Sequence, residues 1–244
     1  KGAIVEYESA DLVNWKLVGQ LANIETGLPE PSPQSTVWEC PQLVELDGHW
    51  ILLVSAMDAT GHIGVRYAVG NYDGKKFEPT YWGDFSNSGE IYATSLFYDR
   101  DGKPGLISWL KEINDTPPAG SSWTGAQSVP AHISLVNHRL RVTPLESMSF
   151  PDLSDHQSVT STWTGRVVGD TWNLEVEGSN TWKISCEYGL LTVTSHNPKI
   201  IHVGASKDFR ILVDTDICEI YTDAGEGAIT FRCPVNQNAE LKLS

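Results

Sequence analysis

Short runs of alternating apolar and polar residues, each closed by a turn signal, recur along the whole chain, and no segment repeats apolar residues at helical spacing. A period of two puts one row of side chains on a buried face, so the pattern specifies antiparallel β-structure. His49 to Ala56 reads as a buried strand and Gly64 to Gly70 as its neighbour. Asp73-Gly74 then supplies a two-residue hairpin signal before Phe77. Gly105 to Leu110 reads as a strand after the turn Asp101-Gly102-Lys103-Pro104. From about Ser158 onward, strands are expected at Thr171–Glu177, Trp182–Glu187, Leu190–Ser195, Lys199–Val203, Phe209–Asp214, Cys218–Tyr221 and Ala228–Cys233. Many short strands at such spacing imply a β-sandwich. Asn114 to Ser122, rich in Pro, Gly and Ser, reads as a surface loop. The Pro144 to Asp155 stretch separates two β-rich regions, giving expected domains of 1–148 and 149–244.

A chain of 244 residues is long enough for one large all-β domain or two modest ones with real cores. Its formal charge of −14 argues against nucleic acid or an anionic membrane as partner, since either would need clustered Lys and Arg. Neutral sugars are compatible with it, and the nine Trp suit packed β-structure or a carbohydrate-facing surface. Cys40, Cys186, Cys218 and Cys233 lie far apart without metal-ligand spacing, so free thiols and no metal site are expected. The seven His are dispersed, and no cofactor is expected. Sparse cysteine fits a reducing, cytoplasmic compartment; a secreted origin stays open. No apolar stretch approaches the roughly 20 residues that cross a bilayer.

Val37-Trp38-Glu39-Cys40-Pro41-Gln42-Leu43 sets one carboxyl between an indole and a thiol at the start of an apolar run. A carboxyl taken out of water is disposed to keep its proton and donate it. Trp-Glu-Cys-Pro in this order resembles the acid/base motif of glycoside hydrolase family 32, the retaining β-fructosidases that include invertases, inulinases and levanases. Tyr7 to Gly19 resembles that family's Ser-x-Asp-Leu-x-x-Trp segment. Arg210 to Tyr221, running on through Gly225, Thr230 and Pro234, resembles the signature of its C-terminal sandwich. The resemblance implies a partial five-bladed β-propeller, its later blades over 1–148, followed by the β-sandwich of 149–244. Inverting propellers resembling family 43 do not predict this motif together with that sandwich signature.

The resemblance also implies roles. Glu39 would protonate the departing glycosidic oxygen and later deprotonate water. Trp38 and Cys40 would line the sugar beside it, Cys40 as a packing or acidity-tuning neighbour rather than a nucleophile. Asp84-Phe85 and Glu90-Ile91-Tyr92 resemble the family's segment on the blade after the acid, with Glu90 where Asp is usual and Ser95 where Gln is usual. Tyr92 would hydrogen-bond at the pocket rim or serve as a cross-strand core residue. Trp109 would stack on a sugar ring or pack the core. Ser122-Trp123-Thr124-Gly125 to Pro130 matches a further family pattern in part, with Ala131-His132-Ile133 where Arg-Glu-Leu is usual.

The family's Trp-x-Asn-Asp-Pro-Asn-Gly nucleophile motif and its Arg-Asp-Pro stabiliser motif occur nowhere in the sequence. Retaining hydrolysis needs two carboxyl groups roughly 5–5.5 Å apart. The chain is therefore expected to enter part-way through a domain and to be inactive alone, acting on sucrose or fructo-oligosaccharide only in a complete enzyme. A non-catalytic carbohydrate-binding remnant is the alternative. Unpaired blade edges tend to pair with another chain, so an oligomer or a complementing N-terminal chain is a further expectation.

Overall fold

In the computed structural model every regular element among the described residues is a β-strand. The description covers the chain apart from residues 1, 25–34, 86–89, 113–123, 153–155, 160–161, 178–181, 195–198, 215, 226 and 233–238. No helix among the described residues is long and apolar enough to cross a membrane.

The chain opens with a hairpin of β1 (Ala3–Glu8) and β2 (Lys16–Asn23). Asp11 organises its turn. One carboxylate oxygen accepts the N–H groups of Val13 and Asn14 at 2.9 and 2.8 Å, and the other accepts the Asn14 side-chain amide at 2.7 Å. Those bonds hold the Asp11 carboxyl well below its ordinary range. The Ser-x-Asp-Leu pattern is thus the chemistry of a turn.

Next comes a four-stranded antiparallel meander of β3 (Val37–Leu46), β4 (His49–Asp58), β5 (Gly61–Tyr72) and β6 (Phe77–Asp84). Strand alternation gives it two buried faces. Leu52, Val54, Ala68 and Trp82 pack with Ile4 and Leu21 of the first hairpin. Ile51, Leu53, Val65, Tyr67 and Val69 pack on the opposite side, against Ile91, Leu106, Leu110, Ile133 and Leu140. These last belong to the following sheet: β7 (Ile91–Tyr98), β8 (Pro104–Leu110), β9 (Ala126–Gln127), β10 (Ala131–Val136) and β11 (Arg139–Pro144). Its order is β11-β10-β8-β7, with β9 also on β8.

Ten strands follow: β12 (His156–Val159), β13 (Thr162–Val168), β14 (Thr171–Glu177), β15 (Trp182–Glu187), β16 (Leu190–Thr194), β17 (Lys199–His202), β18 (Asp208–Asp214), β19 (Ile217–Thr222), β20 (Ile229–Arg232) and β21 (Ala239–Leu243). They form a six-stranded sheet, β12-β21-β14-β15-β16-β17, and a four-stranded sheet, β13-β18-β19-β20. Trp172, Leu174, Val176 and Ile184 of the first meet Phe209, Ile211, Val213, Ile220 and Phe231 of the second. The four-stranded sheet is covered on its other face too, because Ile217, Tyr221 and Ala228 join the core of the preceding sheets. Strands up to Pro144 pair only among themselves, and so do those from His156 on.

The expected strands appear with ends moved by up to three residues, and β14 and β15 coincide with them. The structure adds others, among them β6, β7, β10, β11 and β13, where Pro79, Gly83, Gly165 or a bulge at Ala93 breaks the alternation or the turn carries no Gly or Pro. The expected loop at Asn114 to Ser122 lies outside the described residues. So do Trp123 and Cys233; the other three cysteines are free thiols.

Gly70 gives a test of the meander. It sits at a bulge between β5 and β6, where a Cβ would lie 2.3 Å from the Glu78 carbonyl oxygen and 2.9 Å from Cα of Pro79. Both obstacles are backbone and cannot swing away. Gly70→Ala is expected to lose about 1–3 kcal/mol, seen as a lower urea midpoint at unchanged m-value. Gly19→Ala, with nothing within 4 Å of the added carbon, is the control.

Candidate active site

Pro41 has no N–H for a ladder, so its place within a strand marks an edge or a bulge, and β3 is both. Glu39 pairs with Ser55 and Gln42 with Leu53, leaving one residue more on β3 than on β4. Cys40 accommodates the excess at a φ of 48°. Strict alternation would put Trp38 on the face of Val44 and Leu46. The bulge reverses this, so that Trp38 packs with Ile4, Leu52 and Trp82 while Val44 and Leu46 face the β7 sheet. Glu39 consequently points toward that second sheet.

The same device recurs on β7. Tyr92 pairs with Trp109 and Ser95 with Ile107, and Ala93 takes a φ of 46°. Its N–H, released from the ladder, donates to the Ser55 hydroxyl at 3.0 Å. Gln42, just past the first bulge, accepts the N–H of Leu96 at 3.0 Å. Each bulge is thus tied to the neighbouring sheet, the β7 bulge to β4 through Ser55 and the β3 bulge to β7 through Gln42, in keeping with bulges that re-aim side chains beside a site.

Tyr92 donates its hydroxyl proton to Glu39 Oε2 at 2.7 Å, and the Tyr92 hydroxyl oxygen also lies 3.4 Å from the Ser55 carbonyl. Burial first, then the Glu39 carboxylate, pushes the phenol above its ordinary range, so it remains a donor at working pH. The His62 ring stacks on Tyr92 at 4.1 Å and 31°. Trp109 meets both edge-on, 6.4 Å from Tyr92 and 6.0 Å from His62. Tyr92 is buried, whereas Trp109 is 37% exposed. A half-buried carboxylate beside an open aromatic wall suits a sugar, whose C–H faces are apolar and whose rim needs hydrogen bonds.

Of the residues expected at the sugar, the structure gathers Glu39, Tyr92 and Trp109. It places the others differently. Trp38 is 6% exposed in the core on the far face of β3, for the reason of register just given. Cys40 is exposed and does not serve as a packing neighbour; partial desolvation of its sulfur and the Glu39 charge push the thiol above its ordinary range, which keeps it protonated. Asp84 ends β6 at the other edge of the sheet, roughly 14 Å from β3 at ~4.8 Å per strand, and is ion-paired with Arg66. Glu90 directs its carboxylate to the backbone N–H of Arg232 at 2.7 Å. Sequence reasoning missed Ser55 and His62. His62 has no motif of its own and reaches Tyr92 only because β5 shifts register against β4 between Ala56 and Met57. Among the described residues no group of three or more His, Cys, Asp or Glu side chains is placed to hold a metal ion.

A family model, the glycosyl hydrolases family 32 N-terminal domain, matches residues 1–144. A sucrose-6-phosphate hydrolase of Vibrio alginolyticus is 25% identical over 273 residues, covering 95% of this chain and 54% of that protein. A levanase of Bacillus subtilis is 28% identical over 153 residues, covering 54% of this chain and 21% of its own length. Among solved structures, a Bombyx mori family 32 β-fructofuranosidase, a mutant in complex with sucrose, superposes with a TM-score of 0.81 at 20% identity. The match takes in 99% of this chain and 59% of that one. A β-fructofuranosidase of Schwanniomyces occidentalis superposes at a TM-score of 0.74 and 15% identity, over 99% of this chain and 61% of that one. These likenesses show the fold, a propeller followed by a sandwich. The chain spans about half the length of the curated relatives it matches from end to end.

Proposed function

Because the chain belongs to glycoside hydrolase family 32, we propose that it is the acid/base-bearing part of a retaining β-fructosidase acting on sucrose or fructans. In this reading residues 1–148 are the later blades of a five-bladed propeller and 149–244 its sandwich. The observation that carries the reading is the Glu39 carboxylate, hydrogen-bonded by Tyr92 at 2.7 Å and walled by Trp109 and His62. In the first step Glu39 gives its proton to the leaving-group oxygen as the bond to the anomeric carbon breaks. A second carboxylate attacks that carbon. Glu39 then removes a proton from water, which displaces the carboxylate and releases fructose. Tyr92 donates to the Glu39 carboxylate that exists between the two steps and holds it in place. Trp109 offers its exposed indole to the sugar.

The second carboxylate and the stabiliser belong, in this proposal, to segments outside these 244 residues, since neither motif occurs here. The exposure of Val5, Tyr7 and Leu17 on the two-stranded first sheet supports an incomplete blade at that point. Fructose release from sucrose, inulin and levan tests both parts. The complete protein should release it and the 244-residue chain should not. Release by the chain alone, abolished by Glu39→Gln, would overturn the placement of the nucleophile. Release by neither would overturn the assignment as a β-fructosidase.

A further inference from the structure

Arg232, the last residue of β20, comes from the sandwich yet ends among the strands of the β7 sheet. Its side chain is fully buried, and its backbone N–H donates to Glu90 at 2.7 Å. Nε donates to the Lys111 carbonyl at 3.2 Å, and Nη2 lies 3.4 Å from the Leu110 carbonyl and 3.3 Å from Glu112. Nη1 is paired with Asp216, on the sandwich itself. A guanidinium out of water must be matched on every side, and this one is matched mostly by groups of the other sheet.

The gripped residues flank the aromatic wall. Glu90 lies two positions before Tyr92, and Leu110 to Glu112 follow Trp109 directly. Tyr92 and Trp109 are themselves cross-strand partners. Glu112 passes the contact on: it accepts the N–H of Gly125, and Gly125 sits so tightly on the Trp109 indole that a Cβ there would be 2.3 Å from Nε1. Arg232 therefore touches both strand ends that carry the wall, and through Glu112 and Gly125 it backs the indole.

We propose that Arg232 is a positioning residue for the sugar site: the sandwich, through this one residue, its guanidinium on the Trp109 strand and its backbone N–H on the Tyr92 strand, sets where Trp109 and Tyr92 stand relative to Glu39. The role follows from geometry, while its bearing on turnover rests on the fructosidase reading above. A lysine cannot reproduce the grip, because its single ammonium cannot span two carbonyls and two carboxylates in a fixed plane.

The test uses Arg232→Lys and, on the propeller side, Glu112→Gln, which removes one charge and keeps an oxygen for Gly125. The first readout is the Trp109 indole N–H resonance of the 244-residue chain, assigned with Trp109→Phe. The expected result is a displaced or doubled Trp109 signal in both variants, with the Trp172 and Trp182 signals of the sandwich core unmoved. In the complete protein, kcat/KM on sucrose should fall about 10²-fold, the scale that a misplacement of about 1 Å brings. Should Arg232→Lys fail to fold, Glu112→Gln carries the same readout. An unmoved Trp109 signal in the folded variants overturns the proposal whatever the kinetics show. A displaced signal in a protein that cleaves no fructoside supports the positioning and overturns the fructosidase reading instead.

Discussion

Glu39→Gln in the complete protein is expected to lower kcat on sucrose by about 10²–10⁴-fold, the usual contribution of a positioned proton donor. The amide is nearly isosteric and its oxygen still accepts the Tyr92 hydroxyl, so the bulge and its bond should survive. What disappears is the proton for the leaving oxygen and, later, the base for water. The substrate can separate those two losses. A fructosyl donor whose leaving group departs without protonation, such as a fluoride, escapes the first loss but meets the second. The variant should therefore release the leaving group in a rapid burst and then stall as the fructosyl-enzyme. An equal loss of the burst and of steady-state turnover on the fluoride would show that Glu39 does not act as the acid.

Glu219→Gln should change how stability depends on pH, and in an unusual direction. Glu219 projects from β19 toward the β7 sheet and is 3% exposed. Its two oxygens accept the Val129 N–H and the Tyr221 hydroxyl, the latter at 3.0 Å. The surrounding cavity, about 20 Å³ and lined by Phe85, Ser108 and Thr230, has room for roughly one water. Burial outweighs the two hydrogen bonds and pushes the carboxyl from its ordinary 4.5 up to about 7. A folded value above the unfolded one means that the native state holds the proton longer. The stabilisation is complete below pH about 4.5 and is lost as pH rises through about 7, on the order of 3 kcal/mol in all. A glutamine matches the protonated acid, its oxygen accepting the Val129 N–H and its amide N–H facing the Tyr221 oxygen, and never ionises. Urea unfolding from about pH 4 to 8 should show the variant gaining on the parent by that amount between about pH 4.5 and 7, with the gain levelling off above pH 7. Parallel curves would mean that Glu219 is not buried between the two parts.

The sequence displays those parts of this architecture that depend on local alternation. Thr171–Glu177 and Trp182–Glu187 can be read to the residue because each has one face on the sandwich core and no interruption. The β10–β11 hairpin escapes notice for a specific reason. Its turn is Asn137-His138, both at positive φ (50° and 62°), so His138 fills a position at which a glycine would have signalled the turn. At the site, the Trp-Glu-Cys-Pro motif singles out Glu39. It does not tell which way Trp38 points, since adjacency along a strand predicts opposite faces only in relation to a register that the bulge alters. Glu219 and Arg232 fall within the stretch that resembles the sandwich signature, but what they do across to the other sheet is beyond reach for a different reason. Their decisive partners, Val129, Glu90 and Lys111, are 90, 142 and 121 residues away in the chain.

The paired bulges make the site sensitive to chain length more than to chain chemistry. Any side chain that tolerates the left-handed backbone could occupy position 40, but one supernumerary backbone unit must lie between Glu39 and Gln42 for the acid and the tryptophan to keep their respective sides. Excising a single residue there would rotate Trp38 into the space meant for a carboxylate and hide Glu39 against the first hairpin, with the strand otherwise intact. Insertions or deletions in these two short stretches are thus a separate kind of lesion from substitutions: they exchange the inside and outside of the site without removing any of its groups.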